Sequence, residues 1–265
     1  MAFDIDTYKR LVQPVDVADV DFSAFRSQPL DSDALRCLRY MHDVEQHTVC
    51  YMRDLLVTRA HRDPEMTTFL TFWNFEEYWH GEVIGRILEE HGEPAGAERV
   101  APMRDKLGWR DHLAPLVSMA TSAAVKDFAA VHMTWGAVNE WTTQAGYARL
   151  AARADHPVLS EVLRRFMRQE GRHIDFYASQ AKLRLARSPL ARRLTRFALT
   201  KLWAPVGSSV MPQAEVRFLA TYLLGGQEGR SFAQRIDRRI DALPGLSGLG
   251  VVERAVEKAA VAQAA

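Results

Sequence analysis

The chain has 265 residues, of which 48% are hydrophobic and 25% charged, as is usual for a soluble globular protein. Lys and Arg number 34 against 33 Asp and Glu, so the overall charge gives no reason to expect a nucleic acid or another polyanion as partner. The polar N-terminus and the absence of a long uncharged run lead us to expect neither a secretory signal nor a membrane span.

Helices are predicted along the whole chain, and no alternating strand pattern is found. Asp31 or Ser32 can cap a first helix that runs to about Arg59. Asp63 as N-cap and Pro64 in the first turn begin a second helix, which Gly92 ends after His91.

Residues 92–122 are rich in Pro and Gly and predict a long connection that contains short helices. A third helix is expected over about 123–153, and a fourth runs from Pro157 to about Arg187. Ser188 and Pro189 begin a fifth helix, and two more follow it.

Four long helices in two hairpins, joined by a long crossover, predict an all-α four-helix bundle with extra C-terminal helices. The alternative is an irregular all-α fold without a bundle. We expect an N-terminal extension over residues 1–31 and the bundle over 32–187. Residues 188–265 would pack on or beside the bundle in the same domain.

The only two cysteines, Cys37 and Cys50, fall on the first predicted helix. They would lie roughly 20 Å apart at 1.5 Å per residue and therefore cannot pair with each other. So few cysteines fit a reducing compartment, and the expected location is the cytoplasm.

Two Glu-x-x-His motifs are the main chemical signal, one at Glu77–His80 and one at Glu170–His173. Residues three apart on a helix project from the same face, so each motif offers a carboxylate and an imidazole to one point. Either motif alone is unspecific, because Glu is common and the chain has nine His.

Spacing from the turns makes the pair of motifs specific. Glu140 precedes Asp155 by 15 residues, and Glu170 follows it by 15. In the first hairpin, Glu45 precedes Arg62 by 17 residues and Glu77 follows it by 15. Each hairpin thus brings one Glu level with a Glu-x-x-His motif, about 22–27 Å from its turn.

The expected ligands all lie on apolar helix faces that carry no Lys. Buried carboxylates that converge without cations destabilise a fold unless a metal occupies the centre. Oxygen and imidazole donors in this number suit two iron or manganese ions. The predicted ligands are Glu45, Glu77, His80, Glu140, Glu170 and His173.

This ligand set resembles that of the ferritin-like di-iron carboxylate proteins. Over residues 32–187 the chain is most similar to the soluble acyl-acyl-carrier-protein desaturases. Their first motif, E-E-N-R-H-G, matches residues 76–81, "EEYWHG", at four positions. Their second, D-E-K-R-H, compares with "QEGRH" at 169–173, where Gln169 lacks the charge of the family's Asp that helps to orient a histidine ligand.

The resemblance implies O2 activation at two iron ions, with electrons from an external donor such as ferredoxin. The implied reaction is desaturation or hydroxylation of a fatty acyl chain on a carrier protein or coenzyme A. Thr143, one turn after Glu140, matches the family's Thr near the oxygen site. The alternatives are a di-iron N-oxygenase acting on an amine, a ferroxidase without organic substrate, and a non-catalytic metal-binding relic.

Other residues near the expected centre leave alternatives open. His42, His47 and His132 are candidates for an additional ligand, which would favour an N-oxygenase. Glu76 points about 100° away from Glu77 and is expected either to support a ligand or to face solvent. Small residues such as Gly136 indicate either a substrate channel or close helix packing.

Residues 182–201 carry seven basic side chains and no acidic one. The stretch is either a solvated helix face or a docking surface for an acyl carrier protein, a coenzyme A thioester or an anionic membrane. A redox partner protein is also expected, and a homodimer is left open. The candidate docking residues are Lys182, Arg184, Arg187, Arg192, Arg193, Arg196 and Lys201.

Overall fold

A computed structural model of the protein describes residues 3–125 and 127–264. Regular structure in these residues is helical, without a strand, which confirms the all-α class. The helices are α1 (Ile5–Leu11), α2 (Ala24–Ser27), α3 (Ser32–Glu45), α4 (Thr48–Leu56), a 3₁₀ turn (Arg59–Arg62), α5 (Pro64–Glu90), α6 (Gly96–Asp105), α7 (Trp109–Ala124), α8 (Phe128–Ala154), α9 (Pro157–Arg187), α10 (Pro189–Lys201), α11 (Gln213–Leu224), α12 (Gly226–Asp241) and α13 (Val251–Ala264).

The predicted caps of the second helix are confirmed. The carboxylate of Asp63 accepts hydrogen bonds from the main-chain N–H groups of Glu65 and Met66, and Pro64 stands in the first turn of α5. After the helix ends at Glu90, Gly92 takes the left-handed conformation with a φ of 72°.

The first predicted helix is two helices instead of one. α3 ends at Glu45, and Gln46 and His47 separate it from α4. The segment holds neither Pro nor Gly, so the sequence has no obvious breaker there. The hydroxyl of Thr48 donates to the main-chain carbonyl of Glu45 at 2.8 Å, a local bond that competes with helix continuation.

The predicted connection contains α6 and α7, each with a proline inside. α7 exposes large apolar side chains, of which Trp109 is 68% accessible, Val117 61% and Leu116 55%. Its far end is anchored by Arg59, whose N–H donates to Ser122 and whose guanidinium donates to the carbonyl of Ala123. The third long helix begins at Phe128, later than predicted, because α7 continues to Ala124.

The turn of the second predicted hairpin lies at Asp155, as the spacing of Glu140 and Glu170 predicted. α8 ends at Ala154, Asp155 takes a left-handed φ of 45°, and α9 begins at Pro157. An aspartate tolerates this backbone region better than most residues.

The chain divides into two compact units. One comprises Asp4–Ala123 and Leu150–Gln169, and in it α3 and α4 pack on α5. The other comprises, of the described residues, Phe3, 124–125, 127–149 and 170–264, and in it α11, α12 and α13 pack on one another. The predicted boundaries at residues 31 and 187, and the ferritin-like bundle, stay predictions.

The N-terminal segment is built into the first of these units. The Tyr8 ring packs near Phe69 of α5, and the Arg165 guanidinium of α9 binds the carboxylate of Asp19. This ion pair and its hydrogen bonds lower the pKa of Asp19 to about 2. Gln28 adds a main-chain carbonyl contact to the ring of His156.

Both cysteines are free thiols. Cys37 is buried in α3, and burial raises the pKa of its thiol far above the usual value, whereas Cys50 is partly exposed. In the described part of the chain, no helix is both long and apolar enough to cross a membrane.

Candidate metal centre

Glu45, Glu77 and His80, called here the first triad, come from two helices. Glu45 is the last residue of α3, and the other two lie on α5. The three residues are 5%, 3% and 0% exposed. The Nδ1 atom of His80 lies 3.3 Å from a carboxylate oxygen of Glu77, so the motif does aim both groups at one point.

Two residues of α9, Gln169 and Phe166, contact the ring of His80 on the sides away from Glu77. Its Nε2 atom lies 2.8 Å from the amide oxygen of Gln169, and its face stacks on Phe166 at 4.4 Å between centroids. Gln169 therefore contacts a histidine of the predicted set despite lacking the charge of the family's Asp. A neutral amide oxygen replaces a carboxylate as the hydrogen-bond acceptor.

Glu140, Glu170 and His173 form the second triad. Glu140 lies inside α8, and the other two lie inside α9. All three are buried, and the Nδ1 atom of His173 lies 3.2 Å from a carboxylate oxygen of Glu170. The two triads thus repeat the same local geometry at their Glu-x-x-His motifs.

All six predicted ligands fall into two groups that could hold a metal ion. The first group is Glu45, Glu77, His80 and Glu170, and the second is Glu77, Glu140, Glu170 and His173. Within each group, one potential ligand atom from every residue lies within 4.8 Å of the others.

Chemically, this donor set fits a metal. Four buried carboxylates would each be costly to desolvate without a positive partner, and two imidazoles add neutral nitrogen donors. Carboxylate oxygens and imidazole nitrogens together suit iron, manganese or zinc, whereas soft metals prefer thiolates. The residues present therefore match the predicted cofactor class without selecting one metal.

Glu76 is fully buried, which removes the expectation that it faces solvent. Its carboxylate accepts a hydrogen bond of 2.9 Å from the hydroxyl of Tyr8. Sequence reasoning missed Tyr8 because it lies 68 residues away on a short N-terminal helix with no motif around it.

Of the three additional histidines, His42 is engaged elsewhere. Its Nδ1 atom lies 3.1 Å from a carboxylate oxygen of Asp43, and its Nε2 atom accepts from the N–H of Gly96 at 3.2 Å. The ring of His132 packs edge-to-face against Phe128, and desolvation lowers its pKa to about 4. Desolvation also lowers the pKa of the half-buried His47.

Helix packing accounts for one of the small residues considered as a channel. A Cβ atom added to Gly136 would lie 2.4 Å from ring carbons of Tyr177. The space beside Gly136 is thus filled by an aromatic ring. Thr143 is half-buried on α8, one turn after Glu140, and its role stays a prediction.

Only part of the basic stretch is available to a partner. Lys182, Arg187, Arg193 and Lys201 are exposed. Arg196 donates to the carbonyls of Gly245 and Ser247, and the Arg192 stem packs against Gly245. Exposed Leu190 and Phe197 accompany the charges on α10.

A surface cavity of about 320 Å³ lies beside α5, on a different face from Glu77 and His80. Its walls include Val15 and Val17 of the N-terminal segment and Trp79 and Arg86 of α5. None of the six predicted ligands lines it.

Comparison with known proteins adds no family assignment. No family model matches the chain, and a search of the curated proteins finds no match.

Proposed function

We propose that the protein is an O2-activating di-iron oxidoreductase that acts on an acyl chain. The observation that carries the proposal is the overlap of the two ligand groups, which share Glu77 and Glu170. Two four-donor groups with two carboxylates in common would be suited to hold two neighbouring ions. Glu45 and His80 would then serve one ion, and Glu140 and His173 the other.

When bound, two iron ions would supply the redox chemistry that activates O2, with electrons from an external donor such as a ferredoxin. The chain's own residues would hold the ions, orient them and exclude water. The burial of all six ligands and the stacking of His80 on Phe166 support this division of roles.

The choice of an acyl substrate rests on the motifs at residues 76–81 and 169–173, which resemble those of carrier-protein desaturases. An N-oxygenase would be favoured by an additional histidine ligand. The two hydrogen bonds of His42 argue against that residue in such a role. Cytoplasmic location remains part of the same proposal, as does a homodimer.

Metal analysis tests the centre itself. Iron-reconstituted protein should contain about two metals per chain, and its spectrum should change on reduction and again on exposure to O2. Glu77→Ala and Glu170→Ala should leave less than half a metal, because each residue belongs to both groups. Glu45→Ala and Glu140→Ala should retain about one.

Glu82→Ala is the matched control, because Glu82 lies on α5 but belongs to neither group and bonds Gln46 instead. It should retain two metals. A wild-type metal content below one half, unchanged by the ligand substitutions, would refute the centre.

Oxygen consumption then separates the reaction classes. Steady-state uptake that requires an acyl-carrier-protein or acyl-coenzyme-A substrate supports the acyl proposal. Uptake that requires an arylamine supports an N-oxygenase, and uptake driven by ferrous iron alone supports a ferroxidase.

Docking of an acidic carrier protein would use the exposed members of the basic stretch. Arg187→Glu combined with Arg193→Glu should weaken carrier binding steeply at low salt and leave metal content unchanged. Arg196→Glu is a poor probe, since it would also break the contacts to Gly245 and Ser247. Unchanged binding of carrier protein, coenzyme A thioesters and liposomes would make the stretch a solvated surface only.

A further inference from the structure

We infer that the N-terminal segment Asp4–Val17 is a positioning element of the metal centre, acting on His80 through Gln169. This inference rests on the proposed function, because it concerns how a ligand of the proposed centre is oriented. It assigns a role to the main-chain carbonyl of Gln13, which no motif marks.

The contact begins at Gln13. Its carbonyl oxygen lies 3.0 Å from the amide nitrogen of Gln169, while its own side chain is exposed. A carbonyl can only accept a hydrogen bond, so the NH2 group of Gln169 must face it. The amide oxygen of Gln169 must then face the opposite way.

That oxygen is the atom 2.8 Å from Nε2 of His80. Because an amide oxygen can only accept, Nε2 has to carry the proton. In a neutral imidazole, the other nitrogen is then the one with a free lone pair. Nδ1 is the nitrogen on the Glu77 side, so the tautomer set by Gln169 is the one that can bind a metal there.

The segment is held firmly enough to act as a reference point. Pro14 restricts Gln13 to extended backbone, and Val15 is buried. The carbonyl of Asp16 accepts from Arg165, which lies one helical turn before Gln169 on α9. At the other end, the buried hydroxyl of Tyr8 fixes Glu76, the residue directly before Glu77.

The segment therefore contacts the residue that precedes the Glu of each motif. Tyr8 contacts Glu76, and Gln13 contacts Gln169. Residues that orient a metal-bound histidine typically contribute 10–100-fold in metal affinity. Since coupling between two sites is reciprocal, metal binding should tighten the N-terminal segment by the same factor by which the segment tightens metal binding.

The first test is a titration of metal-free protein with Co²⁺, followed by its visible absorption. Gln169→Met removes both hydrogen bonds at nearly constant volume and should weaken Co²⁺ binding about 10-fold, with a changed absorption band. Gln180→Met, the same substitution at a buried glutamine of the same helix, should leave affinity and spectrum unchanged. Gln13→Ala should also leave Co²⁺ affinity and the absorption spectrum unchanged, because the contact uses the main-chain carbonyl.

The second test measures hydrogen exchange of peptides covering residues 4–17, with and without Co²⁺. In the wild type, Co²⁺ should slow exchange in this segment about 10-fold relative to α12, and in Gln169→Met the effect should vanish. Gln169→Glu separates the two contacts. Its carboxylate can still accept from His80 but faces the carbonyl of Gln13 with another acceptor, so Co²⁺ affinity should persist while protection of the segment is lost.

Each outcome decides. Wild-type Co²⁺ affinity in Gln169→Met, or exchange in residues 4–17 that does not respond to Co²⁺, overturns the inference while the metal centre stands. A wild-type protein that binds no Co²⁺ overturns the proposed function, and the inference falls with it.

Discussion

The two triads contain the same donors, two Glu and one His, but the helical structure around the first Glu differs between them. In the first triad, α3 ends at Glu45 and a short turn separates it from α4. In the second, Glu140 lies within a continuous helix of 27 residues. The spacing of the expected ligands along the chain is compatible with an interrupted helix as well as with a continuous one. Around Glu45, the Thr48 hydroxyl donates to its carbonyl and the Gln46 amide donates to Glu82, whereas Glu140 is flanked by continuous helix.

Metal removal should produce the largest difference between the triads. With free metal about 1,000-fold above its dissociation constant, binding adds about 4 kcal/mol to stability. For a chain of this size, chelation should therefore lower the melting temperature by about 10 °C. Hydrogen exchange should rise more in α3 and α4 than in α8, because the broken helix has fewer main-chain bonds to hold Glu45.

Chelator added to Glu77→Ala, which is expected to bind little metal, serves as the control and should change little. Metal-free protein that melts at the temperature of the loaded form at neutral pH would show that the carboxylates do not converge.

Two glycines, Gly81 on α5 and Gly136 on α8, give the next largest difference. Gly136→Ala would push a methyl group into the Tyr177 ring and should cost about 2–3 kcal/mol by denaturant unfolding. In Gly81→Ala the methyl group meets the flexible amide end of Gln46, 2.7 Å away, which can move aside. The gain in helix propensity, about 1 kcal/mol, should then leave stability near the wild type. Equal losses in both variants would mean that Tyr177 yields as easily as Gln46.

Local signals predicted the boundaries of α5 and α9, and sequence spacing singled out the six buried Glu and His residues that could hold a metal. Asp63 and Pro64 act through neighbouring main-chain groups, and the Glu-x-x-His spacing is a property of a single helix. The break after Glu45 was not predictable in this way, because no Pro or Gly marks it and the contacts found there, the Thr48 hydroxyl on the Glu45 carbonyl and Gln46 beside Gly81, have no sequence signature. Tyr8 and Gln13 were missed for a related reason. Their partners lie 68 and 156 residues away, and one contact uses a main-chain atom that carries no sequence information.

The partly buried ring of His132 on α8 should make the stability of the protein depend on pH. Folding lowers the pKa of His132 from 6.5 to about 4, so the unfolded chain binds a proton more readily between these values. Stability from the neutral ring is complete above about pH 6.5 and is lost as the pH falls toward 4. We expect a loss of about 1–2 kcal/mol, reduced by the partial exposure of the ring.

His132→Gln should flatten this part of the stability curve relative to wild type, measured by urea unfolding at several pH values. His112→Gln, at an exposed histidine of α7, should follow the wild-type curve. A wild-type slope retained in His132→Gln would place the titration elsewhere.

The smallest predicted effect concerns one hydroxyl in each region. Thr48→Val removes the bond to the carbonyl of Glu45 at the helix break and should cost about 1 kcal/mol. Thr142→Val removes a similar bond to the carbonyl of Asn139, but inside a continuous helix where that carbonyl also accepts a main-chain bond. There the loss should stay below about 0.5 kcal/mol. Thermal or urea unfolding of the two variants measures these losses of stability. Equal losses would indicate that the helix break does not depend on Thr48.

The buried thiol of Cys37 allows the opening of α3 to be measured through the rate of thiol modification. Cys50 is accessible to a maleimide in the folded chain, whereas Cys37 reacts only when α3 opens, because its thiol is buried and its raised pKa keeps it protonated. Cys37 lies two helical turns before Glu45 on the same helix. The rate at which maleimide consumes the second thiol therefore measures the opening of the helix that carries Glu45, without any mutation to introduce a reactive group.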